Sequence, residues 1–406
     1  MTACVAQNGS NPQPQAGNFT LSSAHNAFGF NLFGKVLADG PDKNANVMIS
    51  PASISLALSM AYAGSAGVTQ QEMGSVLQVG NASQEYVNLE SQSLIQRLSN
   101  RSDVNLSIAD SLWLNSAHGF QFRQEYQGSM ESYYGASAQS LDFSDEPNSA
   151  NVINGWVSNN TNGKITGIIE ADELPKYESA LINAVYFKGK WSTPFNKNLT
   201  ESKPFAASDG SSQQAPEMSQ SGEYWYFEDD SLLGSPTLQA IALPYGDPSD
   251  PSQQISMYVF LPSNMKSFTQ GLDENAWNGM KAKFSYQEGS IHLPKFKYGY
   301  GTDLVPQLKE IGMKSAFSST ANFSKMSATP LAIGTVKHKA YIETNEEGSE
   351  AAAVTFIGMQ TSAAVYNPNE PKPFDMNVDK PFFYAIVDDS TGEILFMGVV
   401  NNPLLQ

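Results

Sequence analysis

The chain has 406 residues, of which 41% are apolar, and its 40 acidic and 23 basic side chains give a formal net charge of −17. The apolar share is enough to bury a large core. The charge argues against a nucleic-acid-binding protein, because phosphate binding requires clustered Lys and Arg, and no stretch approaches the roughly 20 consecutive apolar residues of a membrane-spanning helix.

The first segment of the chain, residues 1–20, predicts a flexible spacer. Residues 6–18 are rich in Gln, Asn, Pro and Gly and contain no large apolar side chain, so they cannot form a packed element. The single cysteine, Cys4, follows Met-Thr-Ala and matches the end of a bacterial lipoprotein signal, in which the cysteine carries the lipid. This interpretation predicts an extracellular or cell-surface protein of a prokaryote with a lipid tether. The alternative is a chance cysteine without a function.

Helical and strand patterns alternate along the rest of the chain, which predicts one mixed α+β domain over residues 21–406. No repeat and no linker-like stretch divides it. A helix is expected after Ser50, because Ser is a good N-cap and Pro51 suits the first turn. Apolar runs bounded by turn residues predict strands at 257–262, 382–387 and 394–400, of which the last two form a hairpin.

One long segment, residues 346–373, does not fit a compact domain, where structureless loops of this length are uncommon. Its residues 351–353 are three alanines, which favour a helix. Alternate positions hold small or apolar side chains that would suit the buried face of a strand: Ser349, Ala351, Ala353, Thr355, Ile357 and Met359. A segment that suits a loop, a helix and a buried strand is a candidate conformational switch.

The same segment resembles part of a known protein family. Residues 346–355, EEGSEAAAVT, resemble the hinge of the serpins, which inhibit serine proteases. Further serpin-like motifs follow in the order of the family, at 46–53, 153–165, 181–191, 293–296, 321–324, 338–340, 379–382 and 396–398. The resemblance runs from about residue 26 to residue 403 and implies the serpin fold. That fold is α+β, with a large, mostly antiparallel central sheet, further sheets, about eight or nine helices and an exposed reactive-centre loop.

The resemblance implies a suicide-substrate inhibitor and not an enzyme. In a serpin, the protease cleaves the reactive loop and forms an acyl-enzyme, and the loop then inserts into the central sheet as a new strand and traps the protease. The residues that match the hinge, which starts this insertion, are Glu346, Glu347, Gly348, Ser349, Glu350, Ala351, Ala352, Ala353 and Thr355.

Two further groups match positions around the opening of the serpin sheet. Ser53, Asn183 and His338 match the polar cluster called the shutter, which lies under the opening point. Trp191 matches the aromatic residue of the breach, where insertion begins. Lys295 and Glu346 match a pair that is expected to form an ion bridge there.

The length of the hinge predicts the reactive bond. In inhibitory serpins the residue before this bond lies about fourteen positions after the hinge glycine, so counting from Gly348 gives Ser362–Ala363. The residues around it are small, and no Lys or Arg occurs at 340–371. This favours a protease with a shallow specificity pocket, elastase-like or subtilisin-like, over a trypsin-like one. The alternative is cleavage after Val365 or Tyr366, and Tyr366 would suit a chymotrypsin-like pocket.

Other functions have weaker support. The chain has no Gly-x-Ser-x-Gly and no His-Glu-x-x-His motif, so we expect no catalytic residue, no cofactor and no metal. Residues 81–100 contain Arg97 as their single base, so we expect no binding of heparin. We expect a monomer. The remaining alternative is a non-inhibitory serpin that acts as a binding or chaperone-like protein, although such members tend to carry bulky or charged hinge residues.

Overall fold

The computed structural model describes residues 19–40, 44–99, 104–229, 236–247, 249–250, 254–349 and 372–405. The predicted spacer up to residue 18, which includes Cys4, lies outside these ranges, and so do residues 350–371 of the predicted reactive loop.

The helices of the described residues are concentrated in the first half of the chain. They are α1 (Leu21–Asp39), α2 (Pro51–Gly64), α3 (Gly67–Val76), α4 (Gln84–Ser99), α5 (Gln124–Ser129), α6 (Glu146–Asn160), α7 (Met265–Gln270), α8 (Glu274–Lys281) and α9 (Val305–Glu310). A π-helical turn, Met130–Tyr134, continues α5. No helix among the described residues has both the length and the apolar character needed to cross a membrane.

Helix α2 begins as the sequence predicts. Ser50 is its N-cap and accepts a hydrogen bond from the Ser53 backbone N–H at 3.3 Å, while Pro51 occupies the first turn. Nearly every residue of α2 is buried, because the helix packs against strands of both sheets. This position places Ser53 directly beneath the central sheet.

The central sheet has the strand order β10-β11-β4-β2-β3, and the short β12 pairs with β4. Its strands are β2 (Val104–Asn115), β3 (Ser137–Leu141), β4 (Ser179–Lys190), β10 (Phe296–Asp303), β11 (Thr335–Thr344) and β12 (Gly348–Ser349). The two middle strands, β4 and β11, are parallel, whereas β4 is antiparallel to β2 and to β12.

The second sheet has nine strands in the order β1-β15-β14-β8-β7-β6-β9-β13, with β5 beside β6. They are β1 (Val47–Ile49), β5 (Glu201–Ala206), β6 (Ser212–Glu228), β7 (Leu238–Tyr245), β8 (Ile255–Pro262), β9 (Ser285–Pro294), β13 (Phe374–Asn377), β14 (Phe382–Asp388) and β15 (Glu393–Val400). The three strands predicted from apolar runs are thus confirmed as β8, β14 and β15, and β14 and β15 form the predicted hairpin.

Candidate functional site

The candidate site lies along the seam between β4 and β11. The two strands pair in parallel over seven residues, from Thr335 opposite Ala180 to Tyr341 opposite Tyr186. Beyond these tyrosines β4 no longer pairs with β11 but with β12, so the seam opens at this end. The chain leaves β11 here, turns at residues 345–347 and comes back alongside β4.

The first hinge residues occupy this open end. Gly348 pairs with Lys190 and Ser349 with Gly189, antiparallel to β4. Ser349 has no exposed surface, and its Oγ lies 3.0 Å from Tyr245 Oη. Gly348 has φ +139°, and a Cβ atom there would lie 2.1 Å from the Gly189 carbonyl oxygen, so only glycine fits. The predicted loop therefore starts with a turn and a strand that is already part of the sheet.

The two acidic hinge residues bind lysines beside this opening. Lys295 Nζ lies 3.0 Å from Glu346 Oε2, and Thr200 donates its hydroxyl to Glu346 Oε1 at 2.8 Å. Burial raises the pKa of the Glu346 carboxyl, but its hydrogen bonds with its own backbone, Lys295 and Thr200 together hold it below the ordinary value. Glu347 forms an ion pair with Lys197. Two ion pairs between buried glutamates and more exposed lysines thus anchor the hinge.

Trp191 ties the backbone of the hinge to the end of β4. Its indole N–H donates to the Asn345 carbonyl at 2.9 Å, and its backbone N–H donates to the Glu347 carbonyl at 3.0 Å. The ring is buried and stacks on Tyr245, with 4.4 Å between ring centroids and 12° between ring planes. Trp191 and Tyr245 therefore form the wall against which the first hinge residues lie.

A buried polar cluster, which we call the shutter cluster, crosses the seam farther along. It consists of Ser53, Asp110, Asn183 and His338. Asn183 and His338 are register partners on β4 and β11, and Asn183 Oδ1 accepts a hydrogen bond from His338 Nδ1 at 2.6 Å. Asn183 Nδ2 donates to Ser53 Oγ on α2 and to Asp110 Oδ1 on β2, each at 2.5 Å. The bond between Asn183 and His338 joins the two strands that a new strand would have to separate.

Burial shifts the pKa values of both titratable members of the shutter cluster. It raises the pKa of the Asp110 carboxyl to about 7, although the hydrogen bond from Asn183 opposes the shift. It lowers the pKa of His338 to about 3, so the imidazole is neutral at ordinary pH. His338 Nε2 has no hydrogen-bond partner among the described residues.

The comparisons with known proteins agree with this architecture. The family model described as Serpin (serine protease inhibitor) matches residues 23–403. The chain belongs to the serpin family. A serpin-like protein of the archaeon Methanosarcina mazei is 31% identical over 99% of this chain and 92% of its own length. Human neuroserpin is 33% identical over 92% of this chain and 89% of its own length.

A solved structure extends the likeness to the whole fold of this serpin. The thermophilic serpin tengpin in its native state superimposes with a TM-score of 0.82 at 26% identity, covering 96% of both chains. The predicted α+β serpin fold is therefore confirmed, and the family is one of protease inhibitors and not of catalysts.

The structure brings together the predicted site residues that it describes and adds one that the sequence did not reveal. Ser53, Asn183 and His338 meet in the shutter cluster, and Trp191 and Lys295 lie at the open end beside the hinge. Asp110 was not predicted; the available signal was a carboxylate within the mostly apolar run 108–114.

Several predicted positions of this serpin lie outside the described residues. They are Cys4, the hinge residues Glu350, Ala351, Ala352, Ala353 and Thr355, and the reactive bond Ser362–Ala363. The described chain resumes at Lys372 and enters β13, which pairs in parallel with β9 of the second sheet. Within the described ranges, no cluster of three His, Cys, Asp or Glu side chains could hold a metal ion.

Proposed function

We propose that this serpin inhibits serine proteases by covalent trapping. A target protease cleaves the reactive loop, forms an acyl-enzyme, and is carried along the molecule as the freed hinge continues into the seam between β4 and β11. The observation that supports this most strongly is the position of Gly348 and Ser349, which already pair with β4 at the open end of that seam.

The register of β12 determines which residue of β4 each residue of the inserted strand would face. Because Ser349 faces Gly189 in an antiparallel pair, each following residue faces the preceding residue of β4. In the inserted form this places Ala351 opposite Phe187 and Ala353 opposite Val185, two fully buried positions. Small side chains at these hinge positions allow the strand to enter without displacing the core.

The same register places Thr355 opposite Asn183 of the shutter cluster. Insertion separates Asn183 from His338, so two buried polar side chains lose the hydrogen bond between them. A threonine hydroxyl at this position can donate and accept hydrogen bonds and so replace the lost partner. Thr355 is therefore proposed to complete the shutter cluster once the loop has inserted.

The register also supports the predicted reactive bond. Continued pairing brings Met359 opposite Ser179, the first residue of β4, so Ser362 lies three positions beyond the end of the strand. The acyl bond at Ser362–Ala363 would then lie just past the end of the filled strand. A bond after Tyr366 would leave four more residues of unpaired chain between the strand and the protease. Small residues at 361–364 support an elastase-like or subtilisin-like target.

The proposal is tested by mixing the protein with pancreatic elastase and separating the products on a denaturing gel. We expect a covalent complex that survives detergent and heat, together with loss of elastase activity. Ala353→Arg should abolish the complex and leave a cleaved substrate, since insertion would bury an unpaired charge opposite Val185, whereas the matched control Ala353→Ser should still inhibit. If elastase-like and subtilisin-like proteases only cleave the wild-type loop, the protein is a non-inhibitory serpin.

We propose further that the protein acts as a monomer outside the cell or on its surface. Heparin is not expected to accelerate inhibition, because Arg97, the single base of α4, already pairs with Asp388 at 3.0 Å. Radiolabelled fatty acid should be incorporated into the wild type in a bacterial host and not into Cys4→Ser if Cys4 is a lipid anchor.

A further inference from the structure

A cavity of about 480 Å³ opens on the second sheet beside the end of α8. Strands β7 and β8 contribute Ala242 and Tyr258 to its lining, and Phe284 joins the lining between α8 and β9. Two further aromatic residues of the lining, Trp225 of β6 and Tyr286 of β9, are 46% and 68% exposed and have their ring centroids 5.0 Å apart. The cavity is thus mostly apolar and has the size of a small-molecule site, roughly 300–1,000 Å³.

One pair of opposite charges lies among these aromatic rings. Lys281 is the last residue of α8, Asp389 follows β14, and the Lys281 Nζ lies 3.7 Å from the Asp389 Oδ1. Among the described residues that line the cavity, these two are the charged ones. An anionic ligand would be repelled by Asp389 and a cationic ligand by Lys281, so the pair favours a neutral ligand.

The amine of Lys281 is held in largely apolar surroundings. Its Nζ lies 4.8 Å from the centroid of the Tyr258 ring, and its side chain is 26% exposed. Asp389 accepts hydrogen bonds of 2.6 Å from the hydroxyls of Ser256 and Tyr258, both shorter than its distance to Lys281. Burial lowers the pKa of Lys281, although Asp389 opposes this shift. A lysine that is desolvated in this way is a better nucleophile than one in water.

We propose that this cavity binds aromatic aldehydes and holds them as an imine on Lys281. The ammonium group of Lys281 first gives one proton to solvent by way of Asp389. The lone pair of the neutral amine then forms a bond to the carbonyl carbon, and the carbonyl π electrons move to the oxygen. The two protons left on nitrogen depart with that oxygen as one molecule of water, which leaves a carbon–nitrogen double bond and changes no oxidation state.

The rest of the cavity suits both the ligand and the product of this reaction. The aromatic ring of the ligand can pack against Tyr286 and Trp225 and so remove their exposed apolar surface from water. Imine formation takes the positive charge of Lys281 out of its apolar surroundings. Asp389 then still has the hydroxyls of Ser256 and Tyr258 as donors, so the reaction does not leave its carboxylate without hydrogen bonds.

The test is to incubate the intact, uncleaved protein with benzaldehyde and sodium cyanoborohydride at neutral pH and to locate the benzyl adducts by peptide mass spectrometry. Cyanoborohydride delivers a hydride to the imine carbon, and nitrogen takes a proton from water, so the adduct becomes permanent. We expect Lys281 to be labelled at least about tenfold faster than Lys283, with a rate that saturates as benzaldehyde is raised. Lys283 is the internal control, because it is 50% exposed and pairs with Asp229 at 2.7 Å.

Recognition of the ring is tested separately from the chemistry of the amine. Benzyl alcohol, which has the ring but no carbonyl group, should slow the labelling of Lys281 and not that of Lys283. Tyr286→Ala should bring the rate at Lys281 down to that at Lys283, whereas Leu199→Ala, which removes another exposed apolar side chain, should label as the wild type does. Equal rates at the two lysines, no saturation, no protection by benzyl alcohol, or a wild-type rate in Tyr286→Ala would overturn the proposal. No protease takes part, so the result does not depend on whether the protein is an inhibitor.

Discussion

Two pairs of strands in this serpin differ in how far apart their strands lie in sequence and in the polarity of their side chains. The hairpin of β14 and β15 is antiparallel, local in sequence and buried along both strands, with mostly apolar side chains such as Ile386 and Phe396. The seam of β4 and β11 joins strands that are far apart in sequence, and Asn183 and His338 face each other at its centre. In the proposed mechanism the apolar hairpin stays intact, whereas the seam, with its polar centre, is opened and filled by the inserted loop.

The largest expected effect comes from cutting the loop. In the proposed mechanism, cleavage at Ser362–Ala363 allows a new strand to fill the seam and to bury Ile357 and Met359, each worth about 1.5–3 kcal/mol if fully buried. The new backbone hydrogen bonds add to this gain. The thermal unfolding midpoint of the cleaved protein should therefore rise far above that of the intact protein. Cleaved Ala353→Arg should show no such rise, and an unchanged midpoint in the wild type would contradict insertion.

The hairpin should respond to mutation in the same way whether or not the loop has inserted. Ile386→Ala removes a fully buried side chain from β14 and should destabilise the protein by about 2–5 kcal/mol. Denaturant unfolding of the intact and the cleaved protein should show a similar loss in both. A loss confined to one form would mean that the hairpin also changes during insertion, and the distinction between the two strand pairs would fail.

The seam should respond differently. Asn183→Ala removes the side chain that bonds to His338, Asp110 and Ser53, and each unsatisfied buried group costs about 1–3 kcal/mol. We expect faster spontaneous conversion of the intact protein to a non-inhibitory form, measured as loss of inhibitory activity during incubation. Asn88→Ala, which removes a hydrogen bond to Tyr134 away from the seam, serves as the control and should convert at the rate of the wild type.

The smallest predicted effect is on pH dependence. The raised pKa of Asp110 stabilises the folded state at low pH, and this contribution is lost as pH rises through about 7. The lowered pKa of His338 stabilises the folded state above its ordinary pKa, and this contribution is lost as pH falls towards about 3. Between the ordinary pKa of Asp and that of His the two contributions cancel, because the folded and unfolded states bind equal numbers of protons at these groups.

The intact protein should therefore keep nearly constant stability from about pH 4.5 to 6.5 and lose only about 0.5 kcal/mol between about pH 6.5 and 8, as far as these two groups decide it. Thermal unfolding across this range measures the effect. In Asp110→Asn, the loss of stability above about pH 6.5 should disappear. The loss of stability that His338 causes as pH falls below its ordinary pKa should then become visible. If stability still declines above about pH 7 in this variant, another titratable group causes the decline.

The elements with a local signal could be predicted from the sequence. Ser50 and Pro51 set the start of α2, and a turn between two apolar runs predicted the hairpin of β14 and β15. The resemblance to serpins placed Trp191 and Lys295 at the opening of the sheet, where the structure has them.

Two features of the site could not be predicted because they depend on contacts between distant parts of the chain. Asp110 joins the shutter cluster only because β2 lies beside β4, which brings it to Asn183 across 73 positions of sequence. The pairing of Ser349 with β4 depends on where β11 stops pairing with β4, and no residue pattern in either strand marks that point.

The central claim, that the loop must open the seam to inhibit, is tested most directly by locking the seam. Ala184 and Lys339 are register partners on β4 and β11, so Ala184→Cys with Lys339→Cys, in a Cys4→Ser background, should form a disulfide across it. When oxidised, this protein should be cleaved by elastase as a plain substrate, and when reduced it should form the covalent complex again. Formation of the complex in full yield by the oxidised protein would contradict the claim.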